Sequence, residues 1–113
     1  MEDKIEVGEY VRTKDGRIDK IIAIHNEEDC TIVVCKKKYW KEDISKHSKQ
    51  PIDLIEIGDF VNGMKILHIE DNKLYIEWNN EFDEFTGFLK NKDIKTILTK
   101  ESYMANCYKV GGE

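Results

Sequence analysis

Proline occurs once in this chain of 113 residues, cysteine three times, and alanine and arginine twice each. Each scarcity excludes something. The lone Pro51 makes Gln50-Pro51 the best internal boundary, because proline interrupts a ladder of hydrogen bonds and restricts the residue before it. An odd number of cysteines cannot pair completely, which suits a reduced compartment. The longest apolar runs, at 21–24 and 32–35, hold four residues, too few to span a bilayer. The opening Met-Glu-Asp-Lys-Ile-Glu lacks the basic start and apolar stretch of a signal peptide. Neither C-x-x-C nor H-x-x-x-H occurs, and His25, His47 and His68 are scattered, so no metal is expected. Cys35 and His47 can be drawn as nucleophile and base, but nothing in the sequence orients them. The glycines stand singly at turns apart from Gly111-Gly112, so there is no phosphate-cradling loop. These absences argue against an enzyme and against any cofactor.

What the chain has in quantity is charge: 36% of its residues, with a formal net charge of -5. Residues 1–50 carry 11 basic and 11 acidic side chains, whereas 51–113 carry 7 and 12, so the whole surplus lies in the second half. Nonspecific binding to duplex DNA by the whole surface is disfavoured. The basic residues are nearly all lysine, and isoleucine is abundant. Codon bias in an AT-rich genome produces that balance, which carries little about chemistry.

The strongest pattern is a repeat. Asp3-Lys4-Ile5-Glu6-Val7-Gly8-Glu9-Tyr10-Val11 returns as Asp53-Leu54-Ile55-Glu56-Ile57-Gly58-Asp59-Phe60-Val61, with five of nine positions identical and an offset of 50. The same offset relates Lys41-Glu42-Asp43-Ile44 to Asn91-Lys92-Asp93-Ile94. A tandem duplication follows, one supersecondary unit used twice.

Each unit reads as β. In the first, strands are expected at 9–14, 17–25 and 30–38, a helical or 3₁₀ turn at 40–45, and a closing strand at 45–49. Asp15-Gly16 is a tight-turn dipeptide, and 26–29 is a polar turn. In the second, strands are expected at 59–62, 64–70 and 73–79, with turns at Asn62-Gly63 and Asp71-Asn72. An acidic insertion at 80–87, a single turn at 92–94 and a closing strand at 95–98 follow. Thr99 is placed to cap a short helix to about Asn106, and Tyr108-Lys109-Val110 suggests a last strand.

The phrase φ-G-[DE]-[YF]-V resembles the opening of SH3-like barrels, in which the glycine bends the strand, the acid faces water and the apolar residues enter the core. The expected fold is therefore all-β: two small SH3-like barrel units at 1–50 and 51–98, packed together, with a C-terminal helix and tail at 99–113 as plug or brace. A lone barrel of that size buries too little apolar area, so fusing two makes physical sense.

Two segments are candidate binding surfaces. Lys36, Lys37, Lys38, Tyr39, Trp40 and Lys41 combine cations with planar rings, which suits phosphate plus a stacked base. The bland alternative is an exposed strand end, with the aromatics plugging a barrel mouth. In the second, Glu77, Trp78, Glu81, Phe82, Asp83, Glu84 and Phe85 interleave carboxylates with rings. This surface suits docking into a basic groove of a nucleic-acid enzyme; the bland alternative is a solvated loop with a tucked phenylalanine.

With the segments 5–16, 46–63 and 97–103 in view, most of the chain resembles a family of small proteins encoded in phages and prophages of AT-rich Gram-positive bacteria. The resemblance brings no catalytic site. It implies action in the host cytoplasm as a counter-defence factor. Such a factor is either a stoichiometric inhibitor of a CRISPR effector or other defence protein, or a sponge for a nucleotide immune signal, with a homodimer interface as the expected place for a ligand pocket. The alternative is an SH3-like nucleic-acid-binding regulatory module; a virion component is less favoured. No membrane partner is expected.

Overall fold

The computed structural model describes residues 4–107. Its first half runs β1 (Tyr10–Thr13), β2 (Ile18–Lys20), β3 (Ala23–Asn26), β4 (Thr31–Val34) and β5 (Lys38–Trp40), then a 3₁₀ turn (Lys41–Asp43) and β6 (Ile44–Ser48). The second opens with a 3₁₀ turn (Pro51–Leu54) and continues through β7 (Phe60–Val61), β8 (Met64–Lys65), β9 (His68–Glu70), β10 (Lys73–Asn79) and β11 (Glu84–Leu89). A 3₁₀ turn (Asn91–Asp93), β12 (Ile97–Leu98) and helix α1 (Lys100–Asn106) complete it.

The strands form four three-stranded sheets, β2-β1-β6 and β3-β4-β5 in the first half, β8-β7-β12 and β9-β10-β11 in the second. All pairings are antiparallel. The same order thus occurs twice, and the 3₁₀ turns at Lys41–Asp43 and Asn91–Asp93 keep the offset of 50. The fold is mostly β with one short C-terminal helix, but the small sheets do not close into barrels.

Two expected strands are each split. The chain leaves one sheet for the next at Ile21-Ile22: Ile21 N donates to Glu9 O (2.8 Å), and Ile22 N to Val34 O (2.8 Å). Ile66 and Leu67 repeat the manoeuvre, donating to Asp59 O and Tyr75 O, both at 2.8 Å. A strand that changes partners keeps its β-forming composition, so sequence alone reads it as continuous. The expected strand at 30–38 also ends early. Cys35 N donates to Lys37 O (2.8 Å), turning the chain back as β5.

Each half has its own apolar core. Val11, Ile21, Val33 and Cys35 form the first, with Ile5, Ile24, Tyr39 and Ile44 packed against it. Ile52, Ile55, Val61, Ile66 and Leu74 form the second, edged by Ile69, Ile76, Leu89, Ile94 and Ile97. At about 1.5–3 kcal/mol per buried aliphatic side chain, either core alone is thin. The contacts that join the halves therefore matter.

The repeated phrase does something the sequence reading did not assign. Gly8 (φ 95°) and Gly58 (φ 99°) adopt the left-handed region that favours glycine. The acids that follow do not face water: Glu9 is 8% exposed and Asp59 fully buried. Each turns back on its own chain, Glu9 Oε1 accepting from Glu6 N (2.8 Å) and Asp59 Oδ2 from Glu56 N (2.7 Å). A short carboxylate that satisfies an adjacent amide is more useful there than one in solvent.

Thr99 caps α1 as expected, its Oγ1 accepting from Ser102 N (3.2 Å). The helix braces the first half: the hydroxyls of Thr99 and Ser102 both donate to Gly16 O in the β1–β2 turn. Gly16 (φ 88°) has no room for a side chain, since a Cβ would lie 2.5 Å from Glu101 Cβ and 2.6 Å from Thr99 Oγ1. The suggested strand at 108–110 lies outside the described residues.

Candidate functional site

The acidic segment is a hairpin rather than a loop. Glu77 and Trp78 lie on β10 and Glu84 and Phe85 on β11, which leaves only 80–83 for the turn. Asn79 shapes that turn, its Oδ1 accepting from Glu81 N (2.9 Å) and Phe82 N (3.3 Å), and Asp83 takes a positive φ of 53°. Between Lys73 and Lys90 there is no basic residue. Among the described residues, none of Glu77, Glu81, Asp83 and Glu84 enters an ion pair.

The aromatic side chains of this sheet touch one another. Trp78 lies opposite Phe85 in the ladder, with ring centroids 4.7 Å apart at 69°. Phe85 stacks on His68 at 4.5 Å and 3°, and Tyr75 stands 5.8 Å from His68 and 5.9 Å from Phe88. Phe85 is half-buried by these neighbours, but Trp78 (42% exposed), Phe82 (66%) and Phe88 (43%) are open to solvent. The hairpin therefore offers exposed aromatic rings, with Lys73 Nζ (4.8 Å) and Lys90 Nζ (5.9 Å) over Phe88 at its base, and four carboxylates outside any ion pair among the described residues along its strands and tip.

The lysine run is arranged differently from its sequence. Lys36 and Lys37 sit in the β4–β5 turn, Lys38, Tyr39 and Trp40 on β5, and Lys41 begins the 3₁₀ turn. Tyr39 pairs with Val33 and packs on the first core, whereas Trp40 lies opposite Ile32 and is half exposed. Adjacent strand residues face opposite ways, so these two rings make no joint stacking platform. The fold instead brings Lys37 and Tyr39 beside Arg17, from the β1–β2 connection.

A third cluster went unread. Arg12, 1% exposed, extends from β1 into the second half. Its guanidinium donates to both oxygens of Asp59, to Leu54 O (3.0 Å) and to Glu101 Oε1 (2.6 Å). Burial alone would lower its pKa, but the carboxylates of Asp59, Glu101 and Glu56 outweigh it and hold the group above its ordinary value. Asp59 also accepts from Lys100 N (2.9 Å). Glu56 sits alongside, 2.9 Å from Lys100 Nζ and 3.2 Å from Lys46 Nζ. The hydrogen bond from Lys100, helped by Lys46 and Arg12 against some burial, pulls its pKa down to about 2. The signal available in sequence was the scarcity of arginine, with one of the two placed just after a repeated phrase. The cluster is a structural clamp, since every group in it is answered by another protein group.

Cys35 and His47, which the sequence allows to be drawn as nucleophile and base, are each placed otherwise. Burial, with a smaller contribution from Asp19, pushes the Cys35 thiol up to about 11, far from a reactive thiolate. His47 Nδ1 meets Glu9 Oε1 at 3.0 Å and is thereby held by a carboxylate. Among the described residues no group of three or more His, Cys, Asp or Glu is placed to hold a metal ion, and no helix is long and apolar enough to cross a membrane. The chain matches no family model, no curated protein and no solved structure.

Proposed function

We propose that this is a non-catalytic binding protein of phage origin, made of two SH3-like units, that acts in the host cytoplasm as a counter-defence factor. It seats the β10–β11 hairpin in the nucleic-acid groove of a basic protein partner. One observation carries the reading: the hairpin holds solvent-open Trp78, Phe82 and Phe88 beside Glu77, Glu81, Asp83 and Glu84, none of them in an ion pair among the described residues. Exposed aromatics on a rigid element are typical anchors of protein interfaces. Carboxylates left without counter-charges attract a basic surface and pair with arginine, whose guanidinium also stacks on rings. The resemblance to small phage proteins supplies the biological setting.

The test is a comparison of captured proteins. Tagged wild-type protein and the E81K/D83K/E84K variant are used as bait in extracts of defence-carrying cells, with K20E as a control on another sheet. A partner held by wild type and K20E, lost with the triple variant and displaced from its own nucleic acid by the wild-type protein supports the reading. Identical capture profiles for wild type and the triple variant overturn it.

A further inference from the structure

On another face, the β1–β2 turn, the β4–β5 turn and the start of α1 enclose two shallow grooves that meet at Tyr39. The first, of about 310 Å³, is walled by Ile18 and Tyr39 from one half and by Ile97 and Leu98 from the other. The second, of about 450 Å³, is lined by Lys14, Arg17, Lys37 and Lys38, with Asp15 and Asp43. Arg17, Lys37 and Tyr39 belong to both.

Two of the three aspartates lining these grooves are engaged, while Asp43 in the second groove has no ion pair among the described residues. Asp15 pairs with Arg17 (3.4 Å) and accepts from Thr13 Oγ1. Asp19 accepts from the backbone amides of Lys20 (2.8 Å) and Lys36 (3.3 Å). Among the described residues Lys14, Lys36, Lys37 and Lys38 have no ion pair, so a chain of negative net charge keeps four uncommitted ammonium groups at one junction.

We propose that these grooves bind a nucleotide, its ring between Tyr39 and the Ile97-Leu98 wall and its phosphates among Lys14, Lys37, Lys38 and Arg17. Together they have the capacity usual for small-ligand sites. A long nucleic-acid strand fits less well, because the chain as a whole carries a net charge of -5. The Thr99 and Ser102 hydroxyl protons at the end of the first groove are committed to Gly16 O, so what the groove offers a base is the flat ring of Tyr39 and the flexible heads of Arg17, Lys36 and Lys37. The site therefore selects phosphate charge and a flat ring over base identity. One wall comes from β12, and α1 adds Ser102 at its end.

The full chain is titrated by calorimetry and melted with ATP, GTP, adenosine, pyrophosphate and a single-stranded decanucleotide. At tenfold excess over Kd, ATP is expected to raise the Tm by about 5 °C. GTP should bind within about threefold of ATP, and adenosine and pyrophosphate each more weakly than ATP. K37E and R17E, both at exposed positions, should each weaken ATP about tenfold, while K65E on β8 leaves it unchanged. Absence of an ATP shift overturns the proposal, as does an equal loss in K65E. Binding of the oligonucleotide through Lys37 without ATP binding overturns it in favour of a strand-binding groove.

Discussion

Glu9 and Asp59 hold the same place in the two copies of the repeated phrase, and each accepts the amide three residues before it. What answers the rest of the carboxylate differs. Glu9 meets His47 within its own half, whereas Asp59 receives the guanidinium of Arg12 across the junction. The residue equivalent to Arg12 is Asn62, which serves only its own half: it donates to Asp93 O (2.8 Å) and accepts from Lys95 N and Thr96 N. One position therefore closes a loop in the second copy and joins the copies in the first. The repeat supplies the scaffold, and departures from it supply the interface.

The comparison is most exposed at Arg12. R12M leaves Asp59 buried without its cation and should cost about 3–5 kcal/mol in urea unfolding, whereas H47Q should cost about 1 kcal/mol. Equal costs would erase the distinction between a joining acid and a local one. The two β-turn glycines sharpen it further. G16A forces a Cβ onto Glu101 and Thr99 and should cost about 3 kcal/mol with loss of α1 helicity by circular dichroism. G63A meets nothing within 4 Å and should cost only about 1 kcal/mol for its positive φ.

Acid titration comes next in size. The Glu56 carboxyl is depressed from 4.5 to about 2, so its stabilisation is complete above about pH 4.5 and lost as pH falls through about 2. Because Lys100 and Lys46 are 45% and 39% exposed, solvent screening reduces that contribution to about 1–2 kcal/mol. E56Q should flatten the stability profile between those limits. E6Q, the same change in the first copy, should alter stability by less than about 0.5 kcal/mol, since among the described residues Glu6 pairs only with the exposed Lys49. Smallest of all, F82S at the hairpin tip should leave the Tm within about 2 °C while weakening partner capture.

Local chemistry was legible in the sequence. Asp71-Asn72 and Asn62-Gly63 turn the chain because those residue types tolerate positive φ, and Thr99 caps α1 through its own hydroxyl. The switch of sheets at Ile21-Ile22 was not legible, because it depends on which strand lies nearby. Nor was the inward turn of Glu9 and Asp59: an acid reads as solvent-facing until its amide and cation are placed in space. Both candidate surfaces were found as composition, but their shapes were not. Glu77 and Glu84 stand on paired strands with Glu81 and Asp83 in the turn between them, and the lysine run splits across a turn and gains Arg17 from a distant one.

The Arg12–Asp59 pair also limits how such a gene can be reshuffled. A donor segment for residues 1–50 that lacked arginine at position 12 would strand a carboxylate inside its recipient. Replacing 51–113 with a version lacking the acids would strand the guanidinium instead. Inheritance of the two copies is thereby tied: each can drift in sequence, yet neither can be traded alone.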